Sequence, residues 1–265
     1  MCLLVLAWRC HARYRAVVAA NRDEFHARPA AALAPWTDSP GLAGGRDLQA
    51  GGAWFAMDAR QRFGIVTNFR EFGRRRGSAP SRGALIPSFL SGEASPEEAL
   101  RALETAAPAY AGFNLLLADR DSLWYASNRA EQFARELPPG IYALSNEFLD
   151  TPWPKLVRVR ARFTELLSSG AAEEPESLTR QLLDMLADRE TAPPESLPPG
   201  DLPAEWARKL SAPFVLDAEY GTRCSTILTA DDFGTTLVER RFDAAGRVSG
   251  QTDYRFPCVT AARRN

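Results

Sequence analysis

A chain of 265 residues, 45% hydrophobic and 25% charged, is long enough for a sizeable core and has the composition of an ordinary globular protein. Its 32 basic and 33 acidic residues leave a formal net charge of -1, which excludes a global field for nucleic acid or an anionic membrane. All but two of the basic residues are arginine, the exceptions being Lys155 and Lys209; with the abundant alanine this points to a GC-rich bacterial genome.

The N-terminal run MCLLVLA is apolar, but no charged segment precedes it and Arg9, Arg13 and Arg15 follow. It fits neither a signal peptide nor a spanning helix, so no membrane insertion and a cytoplasmic location are expected. Residues 2–9 and 14–21 predict a hairpin of two buried strands. The second ends on Asn21 and delivers Arg22, Asp23, Glu24 and His26 just beyond it. Pro29 to Gly52 reads as irregular chain, and "AWFAMD" and "RFGIVTN" as a second hairpin that again ends on an asparagine, Asn68. "FREFGRRRGSAP" is a loop whose Arg74, Arg75 and Arg76 form either a solvated face or an anion-binding run, and Ser81 offers an N-cap to a helix through "RGALIPSFL".

A Ser-x-x-Glu capping box, Ser95 to Glu98, opens the next helix. "GFNLLLADRDSLWYASN" and "GIYALSNEF" return to strand-like alternation. Leu156, Val159, Phe163, Leu166 and Leu167 then recur at helical spacing, as do Leu178, Leu182, Met185 and Leu186; both stripes read as core. A Pro-rich loop spans Thr191 to Pro203, and three strands near 224–230, 235–242 and 247–256 close the chain, the last two joined by "DAAG". Hairpins without strand-helix alternation predict an α+β fold of antiparallel sheets covered by helices in a single domain, 1–265. A four-layer αββα sandwich and a two-layer arrangement both satisfy that order.

Four cysteines, Cys2, Cys10, Cys224 and Cys258, stand without CxxC or other metal-ligand spacing, so free thiols are expected. With His11 and His26 the sole histidines, a zinc centre has too few imidazoles and a Ser-His-Asp triad would have to recruit one of these two. Cys2 offers another chemistry. Initiator methionine is usually removed before a small residue, and its removal would place an α-amine on the residue that carries the thiol. An α-amine titrates at about 7.7–8.0 and can accept the thiol proton, directly or through water. A tight hairpin brings the polar end of the second strand beside Cys2, where Asp23 or Glu24 can hold the ammonium. Asn68 and Asn146 are the donor type a tetrahedral oxyanion needs. Arg22 and Arg223 can fix a substrate carboxylate or the carboxylate of Asp23.

"MCLLVLAW", "AANRDEF", "GGAWFAMD", "TNFR", "GFNLLLAD", "YALSNEFLDTPWPKL" and "YGTRCSTILTAD" resemble, in order, the NRDE or Transport and Golgi organisation 2 family, from Met1 to about Tyr254. The letters NRDE are Asn21, Arg22, Asp23 and Glu24 here. That family in turn resembles the N-terminal nucleophile hydrolases of the choloylglycine hydrolase and penicillin V acylase group, which implies the αββα sandwich. The resemblance implies Cys2 as nucleophile, Asp23 as the aspartate beside the amine, Asn68 and Asn146 as the oxyanion-region asparagines, and Arg223 as the later arginine. The pattern departs at Ala20, where that group carries an arginine three residues before its aspartate.

The function expected is a cysteine-dependent acyl hydrolase or acyltransferase acting on a linear amide or thioester. Hydrolysis of this kind requires no cofactor. Asn21, Arg22, Glu24 and Arg74 to Arg76 are candidate substrate contacts, and the arginine run suits the phosphates of an acyl-CoA-like thioester. The resemblance also carries an alternative, a non-catalytic haem or lipid binding or trafficking protein on the same scaffold. A haem ligand would then be sought among His11, His26, the cysteines, the tyrosines and the methionines.

Overall fold

The computed structural model describes residues 2–71, 79–197 and 202–258. A six-stranded antiparallel sheet is ordered β10-β1-β2-β11-β12-β13, from Gly140–Leu144 (β10), Cys2–Trp8 (β1), Ala16–Phe25 (β2), Tyr220–Asp231 (β11), Gly234–Phe242 (β12) and Val248–Pro257 (β13). A seven-stranded sheet runs in chain order: Ala30–Pro35 (β3), Leu42–Asp47 (β4), Phe55–Asp58 (β5), Phe63–Asn68 (β6), Phe113–Ala118 (β7), Leu123–Ser127 (β8) and Ala134–Glu136 (β9). Every pairing is antiparallel.

Alternation along the strands sorts the side chains into layers. Leu4, Leu6, Trp8 and Val18 of the first sheet meet Phe55, Met57, Phe63 and Leu116 of the second in a core between the sheets. The opposite face of the first sheet, with Leu3, Val5, Val17 and Ala19, packs on the helices Pro154–Leu167 (α3) and Pro175–Leu186 (α4). Phe113, Leu115 and Leu117 face outward from the second sheet toward Leu85–Ser91 (α1) and Pro96–Glu104 (α2). The result is the four-layer αββα sandwich, and the two helical stripes are core as expected. The capping box forms with both halves in place, Ser95 accepting from the Glu98 amide and Glu98 from the Ser95 amide.

Several boundaries differ from the sequence reading. β2 does not stop at Asn21 but runs through Phe25, because β11 begins at Tyr220 and pairs along the whole extension, Tyr220 opposite Phe25. The NRDE residues therefore lie inside a paired strand. The stretch from Pro29 to Gly52 holds β3 and β4, hidden in sequence by alanine, glycine and a terminal proline; β3 is the sheet edge, where Pro35 removes no ladder bond that matters. Ser81 makes no side-chain cap, since α1 is entered through a tight turn at Arg82–Ala84 that is held by Gly83. The Ala53 amide donates to the Gly83 carbonyl at 3.0 Å, and a Cβ on Gly52 would sit 2.3 Å from the Gly83 carbonyl carbon, so this crossing requires glycine. β9 and the short helix Ala204–Lys209 (α5) also went unpredicted, both too short to show a period.

Candidate functional site

Cys2 opens β1 directly opposite Arg22 of β2, Arg22 lies opposite Cys224 of β11, and Cys224 opposite Arg241 of β12. Cys2, Arg22 and Glu24 thus share the strand face that looks toward the second sheet, while Asn21 and Asp23 take the face that packs on the helices. Neighbouring strands are about 4.8 Å apart, so Cys2 and Cys224 stand about 10 Å from each other, beyond disulfide reach. All four cysteines are free.

Cys2 is half-buried at the wall of a cavity of about 370 Å³, with Arg22, Arg28, Trp54, Asn68 and Arg82 around it. Its backbone nitrogen donates to Asn146 Oδ1 at 3.2 Å, and its carbonyl accepts from Ser145 Oγ at 2.7 Å. Asn146 Nδ2 donates to the Asn68 carbonyl at 2.7 Å, so a donor on one side and an acceptor on the other fix which way this amide points. Burial pushes the Cys2 thiol above its ordinary pKa, the Asp23 charge adds to the rise, and Arg22 opposes it. The resting sulfur is accordingly a thiol at neutral pH, and a base must take its proton before it attacks.

Asp23 is 2% exposed. Its Oδ1 accepts from Thr222 Oγ1 at 2.7 Å and its carbonyl from the Tyr220 hydroxyl at 3.1 Å. Burial raises its pKa, while Lys155, Thr222 and Arg22 pull it back. Lys155, equally buried at the start of α3, donates to the Leu210 carbonyl at 2.9 Å; burial brings its ammonium down to about 8 against the opposing charge of Asp23. An acid and a base are thus held together on the helix side of the first sheet, with Asp23 also reaching the wall of the Cys2 cavity.

The other sequence candidates are placed unevenly. Asn21 is turned to the helices: its Nδ2 donates to the Leu186 and Pro213 carbonyls, each at 2.9 Å, and its Oδ1 accepts from Ser225. Glu24 lines the cavity, accepts from the Phe25 amide at 2.9 Å and lies 3.9 Å from Arg28, which is itself bound to Asp47 at 2.7 Å. Asn68 lines the cavity at the end of β6. Arg223 is the extra residue of a bulge between Thr222 and Cys224; its guanidinium donates to the Phe25 and Arg28 carbonyls, and it borders a second, smaller cavity instead. Arg74, Arg75 and Arg76 lie outside the described residues. His11 sits in the β1–β2 turn accepting from the amides of Arg13 and Tyr14, and His26 Nε2 is 3.1 Å from the Asp217 carbonyl. Neither borders the Cys2 cavity, which therefore offers no imidazole to a haem iron. Among the described residues no three metal-binding side chains cluster, and no helix is long and apolar enough to cross a membrane.

Residues 1–244 match the family described as Transport and Golgi organisation 2. The chain belongs to that family. It is 35% identical over 240 residues to the Transport and Golgi organization 2 homolog of Mus musculus and 32% identical over 239 residues to that of Homo sapiens, covering 86% of both chains in each case. Among solved structures it is similar to a Caenorhabditis elegans orthologue of N-acylethanolamine-hydrolyzing acid amidase, with a TM-score of 0.47 at 11% identity over 85% of this chain and 92% of that one. It is also similar to the C2A mutant of the conjugated bile acid hydrolase from Clostridium perfringens, with a TM-score of 0.46 at 6% identity over 96% and 92%.

In this Transport and Golgi organisation 2 chain, the site contains residues that sequence reasoning missed. Arg82 brings a third guanidinium to the Cys2 cavity, after Arg22 and Arg28, donating to the Gly112 carbonyl at 2.9 Å; burial lowers its pKa, and the charges of Cys2, Glu24 and Glu71 oppose that. Lys155 carried one faint signal: it is one of two lysines in an arginine-rich chain, and it stands at the first turn of an amphipathic helix, where a solvent-facing cation gains nothing from the helix dipole. Thr222 and Ser145 had none, since their roles depend on which strands lie side by side.

Proposed function

We propose that the chain is a cysteine-dependent acyl hydrolase or acyltransferase, acting on a linear amide or thioester, whose nucleophile is Cys2 once Met1 has been removed. The observation that carries this reading is the bond from the Cys2 nitrogen to Asn146 Oδ1 at the cavity wall, since that nitrogen becomes the α-amine on removal of Met1. Asn146 then orients the amine with its lone pair available to the sulfur of the same residue, and the Asp23–Lys155 pair supplies the charge behind it.

The reaction follows from the chemistry of such a pair. The thiol proton passes to the amine, and the sulfur attacks the acyl carbon, forming a C–S bond while the carbonyl electrons move to oxygen. Asn68, at the cavity wall, supplies the amide donor for that oxyanion, with Arg82 as the nearby positive charge. Collapse breaks the bond to the leaving amine or thiol, which takes the proton from the ammonium. Water, or another acceptor, then attacks the acyl-Cys2 and releases the acid or new acyl product as the thiol reforms. Arg22, the register partner of Cys2, stands where it favours the thiolate as it develops. An acyl-CoA-like thioester remains the finer form of this proposal.

The test couples intact-mass measurement with turnover of N-acyl amides and acyl thioesters. Protein lacking Met1 is expected to form a Cys2-linked acyl adduct and to lose turnover as Cys2→Ala. Full turnover by Cys2→Ala, or by protein that retains Met1, would overturn the proposal.

A further inference from the structure

The side of Arg22 away from Cys2 borders another cavity, of about 120 Å³, on the β2–β11–β12 side of the first sheet. Arg22 and Trp54 line both cavities, with the Arg22 guanidinium carbon 4.2 Å from the centre of the Trp54 ring, so these two side chains form the partition. Beyond it three guanidinium-bearing side chains converge: Arg22, Arg223 and Arg241. Arg223 donates to two backbone carbonyls and Arg241 to Thr252 Oγ1, and among the described residues no carboxylate lies within ion-pair distance of any of the three.

Among the described residues the acid in the cavity wall is Glu239, 2% exposed and accepting from the Leu33 amide at 2.8 Å. Burial raises its pKa, and the Leu33 amide and the charges of Arg241 and Arg22 oppose the rise, so at most one carboxylate faces three guanidinium groups. Ala30, Ala31 and Ala32 supply an aliphatic wall along β3. A cavity with converging guanidinium groups at one side and methyl groups at the other is matched by a short aliphatic chain that ends in an oxyanion.

The geometry points to a second ligand site, in which Arg22, Arg223 and Arg241 bind the carboxylate of a short-chain aliphatic acid whose methylenes lie on Ala30 to Ala32. The site stands apart from the Cys2 chemistry. It shares a wall with the Cys2 cavity through Arg22 and Trp54, so a carboxylate bound there draws the Arg22 guanidinium away from Cys2.

Calorimetry on the full chain at neutral pH tests this, with butyrate and succinate as probes, butyramide as the uncharged control and inorganic phosphate as the competing oxyanion. Saturable binding of at least one carboxylate at millimolar concentration is expected, with none for butyramide. Arg241→Gln should weaken it tenfold or more, and Ser249→Leu, which alters an exposed residue at the cavity mouth and spares the core, should block it. Cys2 alkylation in Arg241→Gln should match the parent, because Arg241 does not border the Cys2 cavity. Absence of saturable binding, binding of phosphate but of neither carboxylate, or affinity unchanged in both variants would overturn the assignment. Loss of Cys2 turnover alone would leave these heats as they are, so failure here and failure of the Cys2 chemistry are read separately.

Discussion

Cys2 and Arg22 are direct register partners at the open end of the β1–β2 hairpin, and Trp54 from the opposite sheet caps the guanidinium at 4.2 Å. Strand pairing sets the two side chains beside each other on one face of the sheet, and the aromatic ring packs on the guanidinium. A flexible surface arginine would screen the thiolate only weakly. This one is 6% exposed.

Arg22→Gln is therefore expected to slow iodoacetamide labelling of Cys2 at pH 7 severalfold, because the thiolate loses a neighbouring cation that favours it. Arg22→Lys should fall between it and the parent, because the ammonium keeps the charge but loses the planar stacking on Trp54. Peptide mapping of the labelled cysteines gives the rates. Cys224, buried beside Glu239 with its thiol raised well above the ordinary value, should label slowest in all three proteins.

Asp23 and Glu24 are adjacent in sequence but on opposite faces of β2. Asp23→Asn keeps the shape that meets Thr222 while removing the charge, and should lower turnover on amide or thioester by about 10²-fold or more, the scale of a lost acid-base partner. Glu24→Gln should shift stability by less than about 0.5 kcal/mol and leave turnover near the parent value. Melting curves and initial rates on the two variants make the comparison. Equal losses in both would mean that the two faces of the strand do not divide the chemistry.

Lys155 gives a signed pH effect. Its folded pKa of about 8 lies below the ordinary lysine value. Between pH 8 and roughly 10.4 the unfolded chain therefore binds more protons at this residue than the folded one, and stability rises with pH through that window by on the order of 3 kcal/mol from this group. Buried thiols and tyrosines titrate in the same range with the opposite sign, so the reading is the difference between the parent and Lys155→Met denaturation curves. That difference should favour Lys155→Met less as pH climbs from 8 to 10. A pH-independent difference would mean the ammonium is not desolvated.

Two buried asparagines separate architecture from chemistry. Asn21→Ala leaves the Leu186 and Pro213 carbonyls and the Ser225 hydroxyl without their partner, and Asn146→Ala does the same to the Cys2 nitrogen and the Asn68 carbonyl. Each should destabilise by about 1–3 kcal/mol for a buried group left unsatisfied. Chemical denaturation measures that cost. Cys2 labelling at equal folded fraction should then slow in Asn146→Ala alone.

The first hairpin and both long helices were legible because alternating or helical runs of Leu, Val and Phe carry an unambiguous period. β3 and β4 were not, since Ala, Gly and Pro35 carry little hydrophobic contrast and their pairing is set by β5. The polar cluster was visible as residues but misread as a strand end: its alternation, Asn21 and Asp23 against Arg22 and Glu24, is what an interior strand with two different environments looks like. Cys2, Asn68 and Asn146 could be named from type and position. Lys155 and Arg82 could not, because nothing in one dimension tells that α3 lies behind Asp23 or that the Arg82 turn abuts Gly52.

The placement of Cys2 at the first position of β1 has a practical corollary. An affinity tag fused ahead of Met1 and not cleaved immediately before Cys2 keeps the Cys2 nitrogen as a peptide amide, with no basic lone pair. Under the proposed Cys2 chemistry, preparations that keep such a handle would fold and melt normally while remaining chemically silent. A handle at the opposite terminus lies beyond β13 and leaves the Cys2 nitrogen able to become an amine.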